Sequence, residues 1–182
     1  MNEQIEVEGN QQEIVDASIQ ENIQQQLQAF QARYSFPIDQ FQLEAMAELS
    51  ENRSVMVAAP TGTGKTLVAE YAIWLAQQRG QRVIYTTPLK ALSNQKYRDL
   101  RDMYGFDAVG LVTGDIVEHS RASIVIMTTE VYRNMLLEDG GERFGMLGPA
   151  SLNDVGFVVF DELHYLSDVE RGPVWEEAIV CS

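Results

Sequence analysis

The sequence has one cysteine, Cys181, in 182 residues. A lone thiol closes no internal disulfide, so a reducing compartment is expected and a cytoplasmic location follows. Long apolar runs are missing too. None approaches the roughly 20 residues of a membrane span, so no membrane association is expected. The N-terminus carries acids where a signal peptide would carry lysines, which argues against secretion. Positive charge is scarce: 13 Lys and Arg stand against 27 Asp and Glu, for a net charge of −14. A protein that clings to nucleic acid over its whole surface is thereby excluded, although a local basic groove is not.

What is present divides in two. Residues 1–33 form an acidic, Gln-rich extension, with six acids and no Lys or Arg through residue 32. Up to Asn10 no period persists and disorder is expected. Beyond it, Ile19, Ile23, Leu27 and Phe30 fall at helical spacing. Residues 34–182 form a second region that alternates between two periods. Helices are expected at Pro37–Leu49, Leu67–Gln78, Ala91–Met103, Thr129–Glu138 and from Val174 to Val180. Buried strands are expected at Ser54–Ala59, Val83–Thr87, Val109–Val112, Ile124–Met127 and Val155–Phe160. With 45% apolar residues the chain can fill a core. The fold class is therefore α/β, a mostly parallel sheet with helices on both faces. In such sheets ligands bind beyond the carboxyl ends of the strands. Those ends carry APTGTGKT, TPLK, TGD, TTE and DELH.

The stretch MVAAPTGTGKT, Met56 to Thr66, has the order of a P-loop: apolar strand, flexible turn, Gly-Lys-Thr, helix. Backbone N–H groups must converge on a polyphosphate, and Gly62 and Gly64 permit that approach. Ala59, Pro60, Thr61 and Thr63 complete the loop, with Ala59 where the pattern usually has Gly. Lys65 would reach the terminal phosphates of ATP, and the hydroxyl of Thr66 would ligate Mg²⁺. At the end of VGFVVF, Asp161 is suited to hold Mg²⁺ and Glu162 to position the attacking water. His164 follows them. The one clear basic stretch is TPLKALSNQKYRDLR, with Lys90, Lys96, Arg98 and Arg101; a solvated helix face is its other reading.

These segments, together with VGLVTGD, IMTTEVYRNML and VVFDELHYLSDVERGPVWEE, occur in the order of a known family. From about Phe36 to Ile179 the chain resembles the DExH-box helicases of the superkiller type, RNA helicases that work with RNA-degrading exosomes, and their bacterial and plastid relatives. The resemblance implies a RecA-like P-loop domain, the N-terminal ATP-binding lobe of an ATP-dependent helicase. It implies that Phe36 packs near adenine and Gln42 reads its edge. It implies nucleic-acid backbone contacts from Pro88, Leu89 and Lys90, from Thr113 and Gly114, and from Thr128 and Thr129. Arg171, Gly172 and Trp175 match the family's ERG-x-VWEE segment, where packing is the expected role. Family members continue into a Ser-Ala-Thr motif and a second RecA-like lobe, which this sequence does not include. The resemblance thus implies binding of ATP and single-stranded RNA without unwinding by this chain alone. Two alternatives remain open: a stand-alone nucleotide- or RNA-binding module, and a lobe of a DNA helicase of the same superfamily.

Overall fold

Three runs, Arg82–Thr87 (β1), Val109–Val112 (β2) and Ile124–Thr128 (β4), are too short for buried helices and carry apolar residues at their centres. Such runs suit the interior of a sheet covered on both faces, and all three are buried there. Val117–Glu118 (β3) and Val155–Phe160 (β5) complete five strands in the order β3-β2-β4-β1-β5. Every pairing is parallel except β2 with β3. The structure is a computed structural model, and it describes residues 2–60, 62–137, 154–167, 174 and 178–179. The chain divides between Trp74 and Leu75 into two units, and the sheet belongs to the second.

In that second unit the pleat sends alternate residues to opposite faces. Ile84, Val112, Val125 and Met127 join Val131 and Tyr132 of the helix Thr129–Leu137 (α5) and Ala178 in one core. Tyr85 and Thr87 point the other way, onto the helix Lys90–Tyr104 (α4): Lys96 lies over the Tyr85 ring, and the Thr87 and Ser93 hydroxyls are 2.7 Å apart. Both faces of the sheet are therefore covered. α4 buries Ser93, Tyr97 and Leu100, one stripe at helical spacing. β3 was not expected from its two-residue length. It folds back so closely on β2 that a Cβ on Gly110 would sit 2.2 Å from the His119 carbonyl oxygen.

The first unit, Met1–Trp74, is built on helices. α1 spans Asn2–Gln31, α2 Gln40–Ser50, and α3 starts at Thr66 and continues past the division to Gln78. The helix of α1 thus begins at Asn2, not after the disordered stretch expected up to Asn10. Glu and Gln are good helix formers, and once a helix is nucleated each added residue gains a hydrogen bond. Of its expected apolar stripe, Ile23, Leu27 and Phe30 are buried, while Ile19 is 46% exposed. Phe30 sits edge-on to Tyr71 with ring centroids 5.0 Å apart and 5.6 Å from Trp74. Tyr71 is itself buried, its hydroxyl 2.6 Å from that of Ser50 on α2.

Two expectations fail here. α2 begins at Gln40, not at Pro37, because Asp39 stays extended as its N-cap and Gln42 reaches back to the Asp39 N–H at 2.9 Å. Ser54–Ala59 is not a buried strand. It is unassigned, its residues alternate between exposed and half-buried, and Met56 is 77% exposed. Among the described residues no strand pairs with it, and an apolar run without a ladder partner does not become a strand. Most of Val174–Val180 lies outside the described residues, as do Glu138, Arg171, Gly172, Trp175 and Cys181.

Phe30→Ala should lower the unfolding free energy of the first unit by about 3–5 kcal/mol, the usual cost of truncating a buried Phe. Denaturant unfolding followed by Trp74 fluorescence reads this directly. An unchanged midpoint would mean that α1 is not part of this core.

Candidate functional site

In the first unit the turn after Ala59 is shaped by glycine. Gly62 and Gly64 have φ of 85° and 77°, a region that side chains disfavour. Thr63 folds back on Pro60: its hydroxyl donates to the Pro60 carbonyl at 2.7 Å. Lys65 also turns inward, donating from Nζ to the carbonyls of Ala59 and, at 3.1 Å, Pro60. The loop carbonyls therefore hold the ammonium where an anion would otherwise meet it. α3 starts immediately after, at Thr66; its Leu67 and Val68 N–H groups donate to the Gly64 and Lys65 carbonyls, and this turn is the positive end of the helix. The hydroxyl-bearing Thr66 is exposed; Thr61 lies outside the described residues.

Gln42 reaches this loop from α2. Its Nε2 donates to the Gly64 carbonyl at 2.9 Å and more weakly to that of Thr63 at 3.4 Å, while its Oε1 accepts from Asp39. Gln42 is 4% exposed. A Cβ on Gly64 would lie 2.7 Å from Gln42 Nε2, so any other residue there would have to displace the Gln42 amide as well as adopt the disfavoured φ. Phe36, by contrast, is 51% exposed.

In the second unit the parallel register lines up the strand ends. Thr87 is opposite Thr128, Thr86 opposite Phe160, and Val112 opposite Met127. Hence Pro88, Thr113, Thr129 and Asp161 leave the sheet at one edge. Asp161 is held at both oxygens: the Tyr85 hydroxyl donates to Oδ2 at 2.7 Å and the Glu162 N–H to Oδ1 at 2.9 Å. Its own N–H bonds the Thr86 carbonyl at 3.1 Å. Glu162 has φ of 61°, unusual for a residue with a side chain, and begins a turn into the short helix Leu163–Ser167. Its Oε2 is 3.1 Å from His164 Nδ1, with His164 70% exposed. Strained backbone of this kind collects at functional positions.

Along the same edge, the hydroxyls expected to face phosphate are committed elsewhere. Thr113 is buried and donates to Asp115 at 2.9 Å; Thr129 is buried and donates to the Thr87 carbonyl at 3.3 Å; Thr128 is buried as well. Leu89 is the N-cap of α4, its carbonyl accepting from Ser93 N–H. What remains exposed is the backbone at Gly114 and the side chain of Lys90, whose Nζ pairs with Asp115 at 2.8 Å. Lys96 and Arg101 lie over the rings of Tyr85, Tyr97 and Phe106. Their charged heads thus face aromatic rings of the same unit. Tyr85 and Asp115 were not among the expected site residues. The only signals were that Tyr85 stands two residues from a strand end and that Asp115 closes the TGD segment.

A protein-family model described as DEAD/DEAH box helicase matches residues 39–181. Human Superkiller complex protein 2 is 51% identical over 152 residues, 84% of this chain and 11% of that protein. The chloroplastic DExH-box ATP-dependent RNA helicase DExH15 of Arabidopsis thaliana is 50% identical over 147 residues, 81% of this chain and 12% of that protein. The chain thus spans only about an eighth of the length of these relatives. A structure of Mycobacterium smegmatis helicase Lhr bound to ssDNA and AMP-PNP superimposes with a TM-score of 0.59 at 27% identity, over 84% of this chain and 22% of that one.

The Lys90 ammonium, and after it the Thr113 hydroxyl, hold the Asp115 carboxyl below the usual aspartate range. A depressed carboxylate stabilises the fold above its unfolded pKa and loses that contribution as pH falls through the folded value. Because the pair is exposed the contribution is small. Carbon-13 NMR titration should find Asp115 titrating low, and Lys90→Ala should return it towards the ordinary value. An identical titration in both proteins would show that the pair does not form in solution.

Proposed function

This chain belongs to the DEAD/DEAH box helicase family, and on that premise we propose that it is the ATP-binding lobe of an ATP-dependent helicase acting on RNA. The observation that carries the reading is the turn from Ala59 to Thr66. Two glycines at positive φ, a lysine folded onto loop carbonyls and a helix N-terminus form a cradle with the shape and charge for a polyphosphate. The RNA assignment rests on likeness to a relative named as an RNA helicase. A DNA strand is the second reading, favoured by the Lhr structure with ssDNA.

On this reading Lys65 exchanges the Ala59 and Pro60 carbonyls for phosphate oxygens. Both engage the ammonium by charge-assisted hydrogen bonds, and the phosphate partner adds full opposite charge. Loop N–H groups and the α3 N-terminus take the remaining oxygens. Gln42 has one lone pair of Oε1 left for the adenine amino group, and Phe36 offers its open face to the ring. Thr66 in the first unit and Asp161 in the second each offer an oxygen suited to Mg²⁺, an ion that would screen charge on the phosphates. The residues fit that ion: both offer hard oxygens, and Asp161 retains lone pairs beyond its two donors. Among the described residues no cluster of three or more His, Cys, Asp or Glu forms a cage. None is needed, since nucleotide-bound Mg²⁺ takes only one or two protein carboxylates.

Glu162 would take the proton of the attacking water, with His164 orienting its carboxylate. Lys90, released from Asp115, would contact a strand's phosphates together with the Gly114 backbone. Contacts of this type position a strand without reading its sequence. Among the described residues no helix is long and apolar enough to cross a membrane. The 182-residue chain is expected to bind ATP and single strands without unwinding a duplex alone.

Lys65→Ala should weaken ATP binding by roughly one to two orders of magnitude, the equivalent of one charge-assisted bond. Calorimetry with Mg-ATP decides this, and an unchanged dissociation constant would place the nucleotide elsewhere. Glu162→Gln, measured in the same titration, should bind ATP as the unmodified chain does. In a chain long enough to turn over, it should cut phosphate release by about 10²–10⁴, the usual loss for a general base.

A further inference from the structure

Eight residues, 32–39, separate α1 from α2 without forming a helix or strand, and Phe36 stands in this connection with half its surface open. An exposed ring contributes little to folding by its own burial, yet its backbone is tied at two points. Gln31, the last residue of α1, donates from Nε2 to the Phe36 carbonyl at 2.8 Å. Its Oε1 accepts the Ile38 N–H at 2.9 Å. One amide, donor and acceptor together, thus spans Pro37, which has no N–H of its own to offer.

Further ties run back to the core. Tyr34 lays its ring against Phe36, with centroids 5.3 Å apart, and donates from its hydroxyl to Glu70 Oε2 on α3 at 2.7 Å. Ile38, on the other side of Pro37, is 7% exposed. Next to Gln31 on α1, Phe30 is buried against Tyr71 and Trp74. The result is an open aromatic face on a loop whose frame is anchored to a buried helix.

We propose that Gln31 is a positioning residue for nucleobase recognition: α1, which precedes the segment matching the family model, sets base selectivity by clamping the Phe36 loop. The inference rests on the assignment of Phe36 and Gln42 to adenine made above. Gln31 touches no nucleotide. It fixes the height and tilt at which Phe36 meets the base, and through Ile38 it fixes the entry to Asp39, whose N–H in turn orients Gln42. Gln42 keeps its own bond to the Gly64 carbonyl when Gln31 is replaced, so loss of the clamp acts on the base and spares the phosphate cradle.

The test compares Mg-ATP, Mg-GTP and Mg-tripolyphosphate in calorimetry on the full 182-residue chain, its Gln31→Ala variant and its Gln31→Glu variant. Gln31→Ala should weaken ATP about three- to tenfold, the loss set by net hydrogen-bond strength. It should narrow the ATP-over-GTP ratio by a similar factor and leave tripolyphosphate unchanged. Gln31→Glu keeps the acceptor for Ile38 and loses the donor to Phe36, so it should fall between. Amide exchange at Ile38 should accelerate in the alanine variant and stay slow in the glutamate variant. Equal loss of ATP and tripolyphosphate affinity, with a lowered melting temperature, would reduce Gln31 to a folding role and overturn the proposal. Unchanged ATP selectivity despite fast Ile38 exchange would overturn it too. If the unmodified chain itself binds ATP, GTP and tripolyphosphate alike, the adenine assignment fails and the clamp has nothing to position.

Discussion

The chemistry-bearing edge of the second unit depends on the in-register parallel pairing of β1 with β4 and β5. Thr87 opposite Thr128 and Thr86 opposite Phe160 bring loops far apart in sequence to one level. A slip of one residue would reverse every side chain between the two faces. Tyr85 would then leave the α4 face, and its bond to Asp161 would be lost. The register is strongly specified because both faces are buried, one against α4 and one against α5. Burial of Val83, Ile84, Ile124, Val125 and Ile126 thus decides where a carboxylate ends up.

In the first unit the corresponding constraint is the glutamine amide. Gln42 caps its own helix and holds the Gly64 carbonyl; Gln31 holds the connection that leads into that helix. Each uses both ends of one amide on backbone groups. Gln42 is buried, and a buried polar group must be satisfied. Such a pair joins the aromatic core of α1 and α3 to the phosphate loop through a few bonds. Hydrogen bonds of this kind contribute modestly to stability but strongly to geometry, since each leaves an orphan when broken.

The ion pair of Lys90 and Asp115 shows how an acidic chain keeps an exposed cation in place. The carboxylate holds the ammonium extended at the sheet edge, and a phosphate oxygen has the same charge and hydrogen-bonding capacity. Because the pair is exposed and screened, it is only weakly held. The neighbouring threonines support the same edge: the Thr113 hydroxyl donates to the Asp115 carboxylate and that of Thr129 to the Thr87 carbonyl.

Much of this was legible in the residues. Short apolar runs separated by amphipathic ones revealed a covered parallel sheet, and Gly-x-Gly-Lys-Thr after Ala59 revealed a tight turn with glycines at positive φ ahead of a helix, because backbone conformation and periodicity are local properties. The α2 start was misplaced because Pro37 and the Asp39–Gln42 capping pair gave competing local signals, and hydrogen bonding settled them. Ser54–Ala59 has the composition of a buried strand, but composition does not supply a partner to pair with. Likewise the sequence alone identified Asp161, Glu162, Lys65 and Lys90 as chemically apt. Only the tertiary structure could show that Tyr85 holds Asp161, that Asp115 holds Lys90 and that Gln31 holds the Phe36 loop. Each of these contacts joins residues whose separation along the chain carries no period, so nothing but packing brings them within hydrogen-bond reach.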